Sequence, residues 1–186
     1  MASIAIRQPF IYERDNNLQE TKAAIADGGA NADGNSIAAG HFVTASGAFP
    51  NQVIKSLRAA VQDGVYGWCP DGVRLSTDKL PKGLPGGDIN HNVFNCAGQS
   101  LFLINLSNAA GAVGATVTGA NASIGLQCGM VVVTVGSIKY QCAAFDNTTQ
   151  KIFEIVGLPT DKAYAQATTD FNPLVLVKVI PTSIQA

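Results

Sequence analysis

The sequence predicts a mainly β protein: an antiparallel β-sandwich, jelly-roll-like, with one short α-helix and an extended N-terminal arm. Three observations carry this reading. Past residue 100, apolar residues recur with a period of two in short runs, the mark of half-buried strands. Turn residues separate those runs with no helical pattern between them, which favours antiparallel over parallel pairing. The clearest helical spacing is over residues 50–63. At 186 residues the chain suffices for one domain with its own core.

Residues 1–49 keep no sustained period and are read as the arm, leaving 50–186 for the sandwich domain. Ile4, Ile6, Phe10 and Ile11 suit a short strand or an extended anchor, and Glu13–Asp27 has weak helical character through Leu18, Ala23, Ala24 and Ile25. The stretch 27–42, DGGANADGNSIAAGHF, offers only Ile37 and Phe42 as apolar anchors. So few large groups do not offset an ordering cost of about 1–2 kcal/mol per residue. The stretch is expected to gain order from a neighbouring surface, or to remain a loop. In PNQVIKSLRAAVQD, Pro50–Asp63, a stripe of Val53, Ile54, Leu57, Ala60 and Val61 predicts the helix, with Pro50 in its first turn and Gly64 just past its end.

Gly64–Asp88 is crowded with Gly and Pro and reads as an irregular connection that Tyr66 and Trp68 pin to the core. Strands are expected at Ser100–Leu106, Ala115–Gly119, Ile124–Gln127, Met130–Val135, Ile138–Ala144, Lys151–Val156 and Leu174–Ile180. Gly136-Ser137 fits one hairpin turn and Asp146–Thr149 a second. The segment LPTDKAYAQATTDFNP reads as a long loop before the last strand, and no internal repeat of useful length is visible.

Charge is the most informative part of the composition. Apolar residues make up 47% of the chain but charged residues only 13%, about half of the roughly 25% usual in soluble domains. From Ile89 to Phe145 the only Asp, Glu, Lys or Arg is Lys139. A long uncharged block suggests faces covered by neighbours or turned to the outside world. The net charge is −1, and no Lys/Arg run is present to neutralise phosphates, so nucleic acid is not expected as a partner. The longest apolar runs, LFLI and MVVV, fall far short of a bilayer span, and MASIAIRQPF is too short for the apolar core of a signal peptide. A soluble protein made without export is expected, with no membrane partner.

No catalytic, cofactor-binding or metal-ligating residue is assigned, and the chain is not expected to be an enzyme. His91 and Cys96, in HNVFNC, are five apart, which on an extended chain turns them to opposite faces. Neither KGLPGGD nor GAVGAT has the order of a phosphate loop. Asn31, Asp33 and Gly34 fit three positions of a calcium loop, but Gly29 and Gly40 stand where acidic ligands belong. The four cysteines stand singly rather than in the paired spacing of zinc ligands. Cys128 and Cys142 are read as small buried apolar residues, with a bridge between them across paired strands left open. Sequons at Asn105, Asn121 and Asn147 are read as chance in an Asn- and Ser-rich chain.

An Ala/Gly/Asn-rich chain with a pliable N-terminal arm, one helix and a neutral β-sandwich ending in NPLVLVKVIPTSI resembles the cement (decoration) proteins of tailed bacteriophages. The resemblance implies a small jelly-roll-like protein, made in the host cytoplasm, that sits on the capsid exterior over joints between major capsid subunits. Its implied partners are the major capsid protein and itself, commonly as a homotrimer. The arm would then lie across a neighbouring subunit. Two other readings stay open: a phage tail or fibre component, and a secreted carbohydrate-binding or hydrolytic β-sandwich, for which the single Trp68 makes a meagre sugar platform.

Overall fold

The computed structural model describes residues 6–15, 19–25, 37, 39–45, 53–56, 64–70, 90–96, 100–113, 124–147, 149–159 and 172–181, with the backbone path alone at 22–25, 53–56 and 90–91. Among the described residues there are eleven strands: β1 (Phe10–Glu13), β2 (Glu20–Ile25), β3 (His41–Ala45), β4 (Val53–Ser56), β5 (Gly67–Cys69), β6 (Asn90–Phe94), β7 (Leu101–Ser107), β8 (Gln127–Val135), β9 (Ile138–Ala144), β10 (Phe153–Gly157) and β11 (Leu174–Val179).

These strands form two closed rings. The first runs β2-β4-β3-β5-β6 and returns to β2. The second runs β7-β11-β10-β8-β9 and closes where Leu106 and Ser107 of β7 meet Ala143 and Ala144 of β9 in parallel. Strand β1 stands outside the second ring, antiparallel to the N-terminal half of β7. The expectation of a mainly β, mostly antiparallel chain holds. In place of two open sheets facing each other, however, each group of strands curls until its edges meet, which satisfies backbone groups that an open sheet leaves bare.

Alternation explains both interiors. Val43, Cys69 and Val93, on neighbouring strands, turn to one side and cluster with Ile37 inside the first barrel. Phe102, Ile104, Leu106, Cys128, Met130, Phe153, Ile155, Val175 and Val177 belong to the larger core of the second. The outer face of β8 and β9 holds a separate cluster of Val131, Val133, Cys142 and Ala144, against which Ile6 and Tyr140 pack.

Several expectations need correction. No helix occupies 53–56: these residues are β4, paired in parallel with β2 and antiparallel with β3. A short run with two β-branched residues fits either period, and two waiting strand edges decide it. The remainder of 50–63 lies outside the described residues. The helical character given to Glu13–Asp27 yields likewise to β2. The arm expected over 1–49 is, where described, built into the barrels: β1 pairs with β7, β2 and β3 belong to a ring, and Ile37 and Phe42 are buried. Gln127–Val135 is one strand instead of two. The chain does turn at Phe145-Asp146 and bend at Thr149-Gln150, but β9 and β10 flank β8 on opposite sides and form no hairpin. The hairpin at Gly136-Ser137 is present, Gly136 taking the left-handed φ of 63° that its turn requires. Ala115–Gly119 and the loop after Pro159 fall outside the described residues.

Candidate functional site

The most elaborate constellation of side chains is the seam between the barrels. Phe42, Trp68 and Phe94 lie across from one another on β3, β5 and β6, so they share the outer face of the first barrel. Phe42 meets Phe102 edge-on at 4.9 Å between centroids and tilts against Phe153 at 5.0 Å; Trp68 lies 6.1 Å from Phe94 and 5.9 Å from Phe102. Offset and edge-on geometries are the favourable ones for aromatic rings. The Arg14 guanidinium sits over the Phe94 ring at 5.1 Å and covers that flank.

Two glutamines satisfy strand backbone where the rings diverge. The Gln141 side chain accepts from the Phe42 N–H at 2.6 Å and donates to the Phe42 carbonyl at 2.9 Å. Gln8 donates to the Lys139 carbonyl at 2.6 Å and accepts from the Gln141 N–H at 3.4 Å. Each amide offers the donor and acceptor of a strand neighbour, so neither edge is left bare. Beside them the Trp68 Nε1–H donates to the Pro9 carbonyl at 3.3 Å. Gly40 enters the same corner with φ 86°, and a Cβ there would run into that carbonyl. In the sequence Gln141 stands in IKYQCAA as an ordinary polar residue, and nothing local marks it as the partner of a strand in the other barrel.

Titratable chemistry is sparse around the seam. His41 is 6% exposed; burial pulls its pKa from 6.5 down to about 4, against a smaller opposing effect of a hydrogen bond with the Lys139 backbone. An imidazole held neutral and enclosed in this way has no access to substrate. Cys69, Cys96, Cys128 and Cys142 are free and buried, and burial pushes the Cys128 and Cys142 thiols up to about 12 and Cys96 higher still. The Cys128–Cys142 bridge does not form: Cys142 stands opposite Val131 on the outer face of the hairpin, while Cys128 points into the barrel. Among the described residues no three His, Cys, Asp or Glu gather as a metal site.

Residues singled out in the sequence are not brought together. His91 lies on β6 opposite Ala23, and Cys96 is buried just beyond that strand. Asn31, Asp33, Gly34 and the Asn121 sequon lie outside the described residues. Asn105 is fully buried, donating to the Asn172 carbonyl at 2.7 Å and accepting from the Arg7 N–H at 2.9 Å, which leaves no room for a glycan. Asn147 folds its carbonyl oxygen onto the Thr149 N–H and hydroxyl, an Asx turn. Trp68 is 8% exposed, so its indole presents no open platform to a sugar.

On the second barrel the exposed charges Asp146 and Lys151 lie after β9, whereas the described residues from Ser100 to Ile138 reach solvent with apolar and uncharged side chains alone. The β8–β9 hairpin extends past the ring, since β8 pairs with β10 only at Gln127 and Cys128 and β9 with β7 only at Ala143 and Ala144. Its tip carries Val135 and Ile138, paired with each other and 40% and 53% exposed. Ile124 and Leu158, at the opposite end of β8 and just past β10, are exposed too, as is Val113. Compared with known proteins, the chain matches no protein family, no curated protein and no solved structure.

Proposed function

We propose that the protein is a structural virion component of the capsid cement (decoration) type, seated on the capsid exterior over joints between major capsid subunits, as a homotrimer. The observation that carries this reading is the second barrel's surface. From Ser100 to Ile138 it bears no Asp, Glu, Lys or Arg, yet it exposes Val113, Ile124, Val135 and Ile138. Charge normally keeps a free surface soluble, and exposed apolar side chains without it mark a surface that a neighbour covers. The hairpin tip, projecting from a closed and self-satisfied barrel, is the contact we assign to the shell. An arm draped over a neighbouring subunit has no place in this reading, because β1, Ile37 and Phe42 are already engaged within the chain.

The test mixes the purified protein with empty heads built from the major capsid protein encoded in the same genome, and reads co-sedimentation and light scattering. The wild type should pellet with the heads and scatter as an oligomer, while Val135→Asp with Ile138→Asp should stay folded and remain in the supernatant. A strictly monomeric protein that ignores heads, or a double variant that binds as well as the wild type, sinks the proposal.

A further inference from the structure

The two barrels share more than shape. Each is built from five consecutive strands, β2 to β6 and β7 to β11, and the pairings run identically in both. The first strand pairs with the third in parallel; third with second, second with fourth, fourth with fifth and fifth with first are antiparallel. Strand order alone is a coarse match. Register is a finer one, because a slip of one residue turns every side chain of a strand to the other face.

The registers agree all the way round. Matching Ile25 with Leu106 at the parallel closure matches Ile54 with Ala143. The next pairing matches Ala45 with Met130, and therefore Phe42 with Gln127. From there Trp68 falls on Glu154, and Phe94 on Lys178. The last pairing sets Ala24 on Asn105, which returns to Ile25 on Leu106 with no residue gained or lost.

Local geometry repeats as well. Gly40 and Gly125, equivalent under this match, have φ of 86° and 85° and donate to the carbonyls of the equivalent Cys69 and Ile155 at 2.8 and 2.7 Å. The Tyr66 N–H donates to Val43 at 2.8 Å, as Ile152 does to Cys128 at 2.9 Å. Inside the barrels Val43, Cys69 and Val93 correspond to Cys128, Ile155 and Val177, all buried. Outside, the correspondence reverses in character. Phe42, Trp68 and Phe94 pack at the seam, whereas Gln127, Glu154 and Lys178 face solvent in part, Lys178 Nζ lying 3.2 Å from Glu154 Oε1.

We infer that the chain is a fused pair of one barrel module, residues 20–94 and 101–179, and that the aromatic outer face of the first copy is a docking surface whose partner is the second copy. The inference stands independently of the virion reading. Covalent continuity between the copies is then dispensable, and the Phe42, Trp68 and Gln141 contacts hold the modules together alongside β1.

Two measurements test it. Backbone NMR of the intact protein should give cross-strand contacts for Val43–Gly67 with Cys128–Phe153, Trp68–Phe94 with Glu154–Lys178, and Ile25–Ile54 with Leu106–Ala143. A register off by one residue in either ring of any such pair overturns the duplication. A protease site placed at 97–99 and cut in the folded chain should leave two fragments that co-elute at the intact mass with unchanged far-ultraviolet circular dichroism. In the cut Phe42→Ala variant the fragments should separate. Gln141→Ala, which leaves the aromatic packing in place, should weaken their association at least tenfold, and serves where Phe42→Ala fails to fold. Loss of β signal on cutting, or Gln141→Ala fragments that hold together as tightly as wild type, overturns the docking surface.

Discussion

Acidification is the sharpest probe of the seam. His41 is buried beside the second barrel, and its folded-state pKa of about 4 lies below the ordinary 6.5. Above pH 6.5 the imidazole is neutral whether the chain is folded or not, and stability is complete. Between pH 6.5 and 4 the unfolded chain takes up a proton that the folded chain refuses, so stability falls as pH falls, by about 1.4 kcal/mol per unit at most. By pH 5 the loss reaches about 2 kcal/mol, and the full window amounts to about 3 kcal/mol. Urea unfolding at pH 7.5, 6.5, 5.5 and 5.0, with His41→Gln in parallel, isolates the effect, since the other ionisable groups are common to both proteins and cancel in the difference. The wild type should lose its advantage, or fall further behind the variant, by about 2 kcal/mol across this range. A difference that stays flat from pH 6.5 to 5.0 refutes the burial of His41 as a neutral group.

Three further outcomes follow from packing. Phe42→Ala removes the ring that meets Phe102 and Phe153 and should cost about 3–5 kcal/mol in chemical denaturation. Gly67→Ala places a Cβ against Val93 Cγ1 and 2.7 Å from the Phe94 carbonyl, and should lower stability by about 1–3 kcal/mol through overpacking, visible as a drop in Tm. The four thiols should be silent to a thiol-reactive dye in the native protein and all react in urea; a cysteine that reacts at once when native contradicts its burial.

The second barrel was legible because its strands are apolar runs of five to nine residues and its turn at Gly136-Ser137 is local. Strand Ile138–Ala144 falls where the pattern places it, and β7, β10 and β11 within two residues. The first barrel was not legible. Its strands run from three to six residues, GWC being one of them, and VIKS sits inside a stretch whose apolar spacing is that of a helix. What makes them strands is the company of other strands, a long-range cause with no local trace. The repeat stayed hidden for a related reason: equivalent positions hold Val43 and Cys128, or Trp68 and Glu154, and only registers and φ angles preserve the match. At the seam, Gln8 and Gln141 read as ordinary polar residues until the strand edges beside them are known.

The exchange of Phe42, Trp68 and Phe94 for Gln127, Glu154 and Lys178 has a physical logic. A module that presents a docking face at one side and receives the same face at another makes a heterologous contact, and repetition of such a contact builds an open filament unless one end is altered. The half-exposed Glu154–Lys178 pair adds less than about 1 kcal/mol to stability, so its presence on the second module is poorly explained by stabilisation. Its effect is on specificity: an apolar face laid over it would strand two charges without water, which penalises a further module stacking there. Replacing these three polar residues with their aromatic counterparts should therefore raise self-association, read as a concentration-dependent mass in light scattering, and a variant that keeps the wild-type mass refutes the argument.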